Sequence, residues 1–285
     1  MIPSTFDYEA PATVAEAVTL LARDPMNTKI LAGGQSLIPV LKLRMADPEL
    51  VIGLQHIDGL RGIRVEDDRL VIGPMTRHHD IATDPLVAAH AGLLARAAGT
   101  VADPQVRHRG TIGGAIVHAD PAGDMSACLL ALEAELTITG PAGPRTVSAA
   151  DFFVDYFTTA VGEDELLTEI RVPLFDGWGS AYEKFTRVAQ QWSIVAVAAC
   201  VRLEGEAIAG ARVALTNMGS VPVRAAEVEQ ALVGGPATPA AVTAACAAAG
   251  AGTEPPSDLN GDEAYRLHLA TVLARRAVLA AATPR

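Results

Sequence analysis

Cysteine is scarce in this chain, and its placement argues against two classes of protein. The three cysteines, Cys128, Cys200 and Cys246, are 72 and 46 residues apart, and no Cys-x-x-Cys occurs. The chain therefore cannot ligate an iron–sulfur cluster by itself, and a disulfide framework is not expected. The thiols are expected as small side chains buried in alanine-rich packing. Basic residues are in deficit: 22 Lys+Arg stand against 33 Asp+Glu, a formal net charge of −11. Phosphate backbones are bound by clustered cations, so a nucleic-acid partner is not expected. Long apolar runs are missing too. The longest, 194–201, has eight residues, against the roughly 20 of a spanning helix. The N-terminus has neither a basic n-region nor an apolar h-region, so a cytoplasmic protein without a secretory signal is expected. No G-x-G-x-x-G, G-x-x-x-x-G-K-[ST], G-x-S-x-G or H-E-x-x-H is present. A Rossmann site, a P-loop, an α/β-hydrolase and a zincin are thereby disfavoured.

What is present is enough for a sizeable core. The 285 residues, 50% hydrophobic, suit one large or two medium domains. Residues 1–176 hold 13 Lys+Arg and 24 Asp+Glu, whereas 177–285 hold 9 of each. A turn-rich Gly177-Trp178-Gly179-Ser180 stretch marks the shift, and domains of 1–176 and 177–285 are expected. The first mixes helices (13–23, 81–84 and 86–98) with short strands at 29–32, 50–54, 62–65, 70–72, 135–139 and 166–172. The second begins with three strands at 181–187, 194–203 and 207–217, then helices at 224–232, 239–250 and 263–281. Strands followed by helices read as an α+β layer.

Two glycine turns carry the chemistry. In Leu31-Ala32-Gly33-Gly34-Gln35-Ser36-Leu37 a strand runs into a glycine pair, and Ser36 is expected to cap a helix over 37–45. Free N–H groups at such a junction favour a phosphate, although a plain βα turn has the same pattern. The second, Gly110-Thr111-Ile112-Gly113-Gly114-Ala115, precedes His118-Ala119-Asp120-Pro121-Ala122-Gly123-Asp124. Its glycine pair is expected to expose further backbone donors, and Asp124 is placed to accept from sugar-like hydroxyls. Two such turns about 80 residues apart suggest a ligand with a diphosphate bridge gripped from both sides.

These motifs resemble those of the FAD-binding medium subunits of the molybdenum hydroxylases, the xanthine dehydrogenase and aerobic carbon monoxide dehydrogenase group. The first turn with Pro39 and Lys42-Leu43-Arg44 is similar to that family's first flavin loop, and 111–124 to its second. Phe6-Asp7-Tyr8, Tyr182-Glu183-Lys184-Phe185, Ala214 to Met218 and Pro222-Val223-Arg224 extend the likeness along nearly the whole chain. The resemblance implies a two-lobed FAD-binding domain (PCMH-type) followed by a smaller domain with a three-stranded antiparallel sheet packed on helices. It implies that Ile30, Leu31, Ala32, Gly33, Gly34, Gln35, Ser36 and Leu37 wrap the pyrophosphate. Thr111, Ile112, Gly113, Gly114 and Ala115 would hold its other side, and Asp124 the ribityl hydroxyls. Leu167 would pack on the flavin, Lys184 would stabilise the reduced ring by charge, and Trp192 would lie beside the isoalloxazine. Ala115 departs from the family's usual Ser or Asn, and Gln191 from its usual acid.

The implied activity is electron relay. No catalytic residue and no metal ligand is assigned to this chain. A small subunit with two [2Fe–2S] clusters and a large molybdopterin subunit would be its partners in a dimer of heterotrimers, with NAD, oxygen or a quinone as external acceptor. A free-standing flavin oxidoreductase and a scaffold that has lost FAD are the alternatives. Four other features have plainer readings. His78-His79 reads as a solvated pair, and Asp120 as a turn cap before Pro121. Arg107-His108-Arg109 reads as a surface turn or a contact to a partner or the FAD phosphate. Trp178 reads as interface or core.

Overall fold

The computed structural model describes residues 2–283. Its first lobe is a parallel sheet with spatial order Asp7–Glu9, Leu50–Gly53, Thr28–Leu31. Parallel neighbours need crossovers rather than hairpins, and the helices Val14–Leu21 and Leu37–Lys42 lie in the connections. Helix Val14–Leu21 starts at a reciprocal cap. Thr13 Oγ1 accepts from the Glu16 amide at 3.1 Å, and the Glu16 carboxylate accepts from the Thr13 amide at 3.2 Å. Its buried face, Ala17, Val18 and Leu21, packs with Ile52 and Leu54.

The second lobe is an antiparallel sheet ordered Ile63–Glu66, Arg69–Ile72, Leu166–Pro173, Glu135–Gly140, Gly143–Ser148. Its middle strand ties the lobes together. Successive strand residues face opposite sides. Leu166 accordingly joins the first-lobe core with Ile52 and Met75, while Leu167 joins the second-lobe core with Leu136 and Ile138. The expected single helix over 86–98 is two helices, Pro85–His90 and Gly92–Thr100. The break lies at Ala91 (φ −144°, ψ 47°), directly before a glycine, a poor helix former.

The C-terminal sheet runs Gly179–Phe185, Val195–Glu204, Ala207–Thr216 and Val223–Arg224, antiparallel throughout. The three expected strands are thus joined by a fourth of two residues, and Arg224 lies in it; the following helix is Ala226–Leu232. Helix Pro239–Ala245 passes into a 3₁₀ turn at Cys246–Ala248, and the closing helix is Glu263–Ala281. The eight-residue apolar run 194–201 supplies, from Val195 onward, a strand covered on both faces. Val195, Val197, Ala199 and Val201 face the C-terminal helices. Ala198 and Cys200, with Ala214 of the next strand, belong to the core of the second lobe. Those small side chains let helix Asp124–Ala131, buried at every position, lie against the sheet. All three cysteines are buried and free.

Arg266 of the closing helix is wholly buried. Its guanidinium donates to the Ile194 carbonyl, to Asp258 Oδ1 at 2.8 Å and to the Gly261 carbonyl at 3.4 Å. Arg266→Met keeps the bulk and removes these three hydrogen bonds, leaving the Ile194 carbonyl only the Asn217 side-chain donor at 3.2 Å. A loss of about 1–3 kcal/mol in urea unfolding is expected. A change within error would show that these bonds carry no net stability.

Candidate cofactor-binding site

The first turn has the geometry of an anion cradle. Ile30 and Leu31 end the strand Thr28–Leu31, the chain turns through Ala32 to Ser36, and Leu37 opens helix Leu37–Lys42. Gly34 has φ +76°, a region where a side chain is strained. The amides of Gly33, Gly34, Gln35 and Ser36 donate to no group among the described residues. A row of free amides in a tight turn favours an oxyanion. The expected cap does not form. Ser36 has helical dihedrals (φ −104°, ψ −49°) and makes no capping bond, because an N-cap side chain reaches its amide only from extended backbone. The helix ends at Lys42 rather than near residue 45.

The second turn is a helix start, not an open loop. Segments 76–78 and 110–112 run antiparallel, with His78 donating to the Gly110 carbonyl and Ile112 to that of Thr76, both at 3.0 Å. Thr111 caps helix Ile112–His118, its Oγ1 accepting from the Gly114 amide at 3.1 Å. The Gly113 amide donates to the Pro74 carbonyl at 2.8 Å. The expected free donors of Gly113 and Gly114 are thus already taken. These glycines serve close approach instead: a Cβ on Gly113 would stand 2.4 Å from Pro74 Cβ. Ile112 is buried in the core and Ala115 is partly buried against it.

The fold does bring the two turns together. A Cβ on Gly33 would lie 2.4 Å from the Arg109 carbonyl and 2.7 Å from Gly110 Cα, and one on Gly114 would lie 3.4 Å from Ala32 Cβ. Helix Ile112–His118 then ends in left-handed Ala119 (φ 50°). Asp120 caps the next turn, accepting from the Ala122 amide at 2.9 Å.

That turn delivers Asp124 to the C-terminal sheet. Asp124 Oδ1 accepts from the Tyr182 hydroxyl at 2.7 Å and the Ser193 hydroxyl at 2.9 Å, and Oδ2 accepts from Lys184 Nζ at 2.8 Å. The Asp124 and Lys184 side chains are only 4% and 9% exposed. Lys184 also donates to the Thr100 carbonyl at 3.3 Å, at the end of helix Gly92–Thr100. Burial, with the Asp124 charge adding to it, pushes the Tyr182 phenol well above its ordinary range, so Tyr182 is a neutral donor. Asp124 and Lys184, given separate roles in the sequence reading, form one ion pair between the domains.

Beside this network lies a cleft of about 300 Å³, lined by the 120–122 turn, Tyr156, Phe157, Trp192, Ser193 and Asn217 among others. Trp192 is half exposed there. Asn217 holds the wall: its amide donates to the Pro121 carbonyl at 3.0 Å, and its side chain to the Ser193 and Ile194 carbonyls. Leu167 lies in the core of the second lobe, outside this lining. The sequence reading missed Ser193, Tyr156 and Phe157, and gave Tyr182 no site role. Only Tyr182 had a signal, its two-residue spacing from Lys184 on one strand face.

His78 differs from the solvated pair expected. It is 3% exposed, and its Nδ1 has no partner among the described residues. Burial, with the Arg107 charge adding, lowers its pKa to about 4. His79 stacks on His108 with ring centroids 4.0 Å apart. Arg107 anchors its own turn, donating to the Val101 carbonyl at 2.8 Å. Trp178 lies between Phe175 and the guanidinium groups of Arg202 and Arg212.

The profile of the FAD binding domain in molybdopterin dehydrogenase matches residues 4–175, and that of the CO dehydrogenase flavoprotein C-terminal domain matches 180–281. This chain belongs to that flavoprotein family. FAD is its cofactor, and the free amides of the first turn fit the diphosphate of that group. The chain is 45% identical to the carbon monoxide dehydrogenase medium chain of Hydrogenophaga pseudoflava over 99% of this chain and 98% of that one. It is 37% identical to the glyceraldehyde dehydrogenase medium chain of Sulfolobus acidocaldarius over 97% and 98%. A solved carbon monoxide dehydrogenase of Hydrogenophaga pseudoflava, lacking the Mo-pyranopterin moiety, superposes with a TM-score of 0.96 at 46% identity, covering 99% and 98%.

Two outcomes are expected. Gly33→Ala drives its methyl into backbone that cannot yield cheaply, wedging the turns apart. Loss of two charge-assisted bonds at about 1.5–3 kcal/mol each weakens FAD binding by roughly two to four orders of magnitude. Flavin content per chain reads this, with Gly99→Ala, where the added carbon meets nothing within 4 Å, as control. His78 supplies a pH dependence. Its pKa is lower folded than unfolded, so the unfolded chain binds the extra proton between about pH 6.5 and 4, and stability falls as pH falls through that window. The full loss is on the order of 3 kcal/mol. His78→Gln is expected to flatten that slope in urea unfolding series; an unchanged slope would assign it to another group.

Proposed function

We propose that this chain is the FAD-bearing electron-transfer subunit of a molybdenum hydroxylase, in the carbon monoxide dehydrogenase branch. The observation that carries the reading is the cradle of free amides where the two glycine turns meet, in a chain whose relatives along its whole length are medium chains of dehydrogenases. Bound FAD supplies the redox chemistry, linking single-electron delivery to an acceptor that takes electrons in pairs. The residues of the chain bind, orient and tune. Gly33 to Ser36 offer amides to the pyrophosphate, and Thr111 fixes the facing helix start. The cleft at Trp192 receives the ring, next to the buried Asp124–Lys184 pair.

The partners in this reading are a small subunit with two [2Fe–2S] clusters and a large molybdopterin subunit, arranged as a dimer of heterotrimers. NAD, oxygen or a quinone is the final acceptor, and the complex works in the cytoplasm. The dispersed, buried cysteines support the division of labour, since clusters would sit on another chain. No helix among the described residues is long and apolar enough to cross a membrane. The division at 1–176 and 177–285 is supported by the Gly177–Gly179 turn ahead of the C-terminal sheet.

Two measurements test this. Acid precipitation is expected to release free FAD, since the reading includes no covalent attachment; flavin retained in the pellet would contradict it. Affinity purification of the chain from its own cell is expected to bring down an iron–sulfur subunit and a molybdopterin subunit. Complete substrate oxidation by the isolated chain would instead support the free-standing oxidoreductase.

A further inference from the structure

Three groups surround the Asp124 carboxylate, and their charges matter to whatever occupies the neighbouring cleft. The carboxylate lies in the first turn of helix Asp124–Ala131, and the Lys184 ammonium meets the last carbonyl of helix Gly92–Thr100. Each charge therefore sits at the helix end that favours it. Tyr182 is held neutral, as its raised pKa indicates. The buried cluster thus carries one negative and one positive charge 2.8 Å apart. The cluster reaches the cleft wall through Ser193, which donates to Asp124 and also lines the cleft beside Trp192. In such surroundings an unbalanced charge acts strongly on its neighbours.

We propose that Asp124 sets the reduction potential of the flavin by neutralising Lys184, with Tyr182 and Ser193 as the positioning residues that hold its carboxylate. Alone, Lys184 would favour the reduced, more electron-rich ring; the carboxylate offsets that bias and keeps the flavin able to pass electrons on. Fixing the carboxylate by two hydroxyls on one oxygen directs the other at Lys184, so the balance does not depend on a mobile side chain. The proposal rests on the reading that the isoalloxazine lies in the Trp192 cleft.

The test is a redox titration of the bound flavin in the full chain, with flavin stoichiometry measured alongside. Asp124→Asn retains the shape and an acceptor for Tyr182 and Ser193 but removes the charge. It is expected to shift the potential positive by at least about 30 mV, a tenfold change in the two-electron equilibrium. Lys184→Met is expected to shift it negative, and the double variant to return most of the way to the parent value. Single variants that move the potential in the same direction, or leave it unmoved with flavin bound, would overturn the proposal. So would loss of FAD from all three variants, which would place the pair in cofactor binding alone. A parent chain that binds no FAD would overturn the cofactor reading instead.

Discussion

The fold depends on burying helix Asp124–Ala131 between two domains while its first residue is a carboxylate. An isolated buried charge is too costly to persist, so the helix can dock only where partners are waiting. Lys184, Tyr182 and Ser193 provide them from the C-terminal sheet. The apolar remainder of the helix packs on Ala198, Cys200 and Ala214, small side chains that admit a helix at close range. The polar end thus fixes where the domains meet, and the apolar length supplies the driving force. Polar complementarity at one end makes the docking specific, since sliding the helix along the sheet would strand the carboxylate.

The cofactor site grows out of the same arrangement. Helix Ile112–His118 and the 120–122 turn lead directly into the buried helix, so the second glycine turn is positioned by a rigid chain of contacts from the domain interface. The first turn is then set against it by glycine: Gly33 meets the backbone of Arg109 and Gly110, and Gly114 leaves room for the Ala32 side chain. The middle strand Leu166–Pro173 joins both lobes from the far side through Leu166 and Leu167. A ligand held by free amides at Gly33 to Ser36 and near Trp192 therefore bridges parts that are already braced. Preorganised donors of this kind need little rearrangement on binding.

Much of this was legible in the residues. The alternating and β-branched runs placed most strands within one or two positions, though the edge strands Asp7–Glu9 and Gly143–Ser148 were not read, and the closing helix was read end to end, because periodic burial leaves a direct mark on sequence. The family was legible in the order of the two glycine motifs with the Lys184 region. Less visible was how the second motif is used. A glycine pair after a threonine reads equally as an open turn or as a helix start, and the Pro74 carbonyl that takes the Gly113 amide lies far back in the chain. The burial of His78 was hidden for a similar reason, since the segments that cover it pair through a short antiparallel bridge no local pattern announces.

By itself the sequence determined the type and order of the strongly periodic elements, the absence of cluster ligands, and the residue types able to face a diphosphate, but not helices such as Asp124–Ala131. Those follow from local propensity, periodicity and spacing, which act over a few residues at a time. Tertiary structure alone decided which polar groups became partners. Asp124 and Lys184, 60 positions apart, form an ion pair; four amides of the first turn stay free while two in the second are spent; Leu167 turns inward to the core while Trp192 stays at the cleft. The physical reason is that hydrogen bonding and burial are settled by proximity in space, and a polar group's fate depends on whichever distant residue the packed core brings within about 3 Å of it.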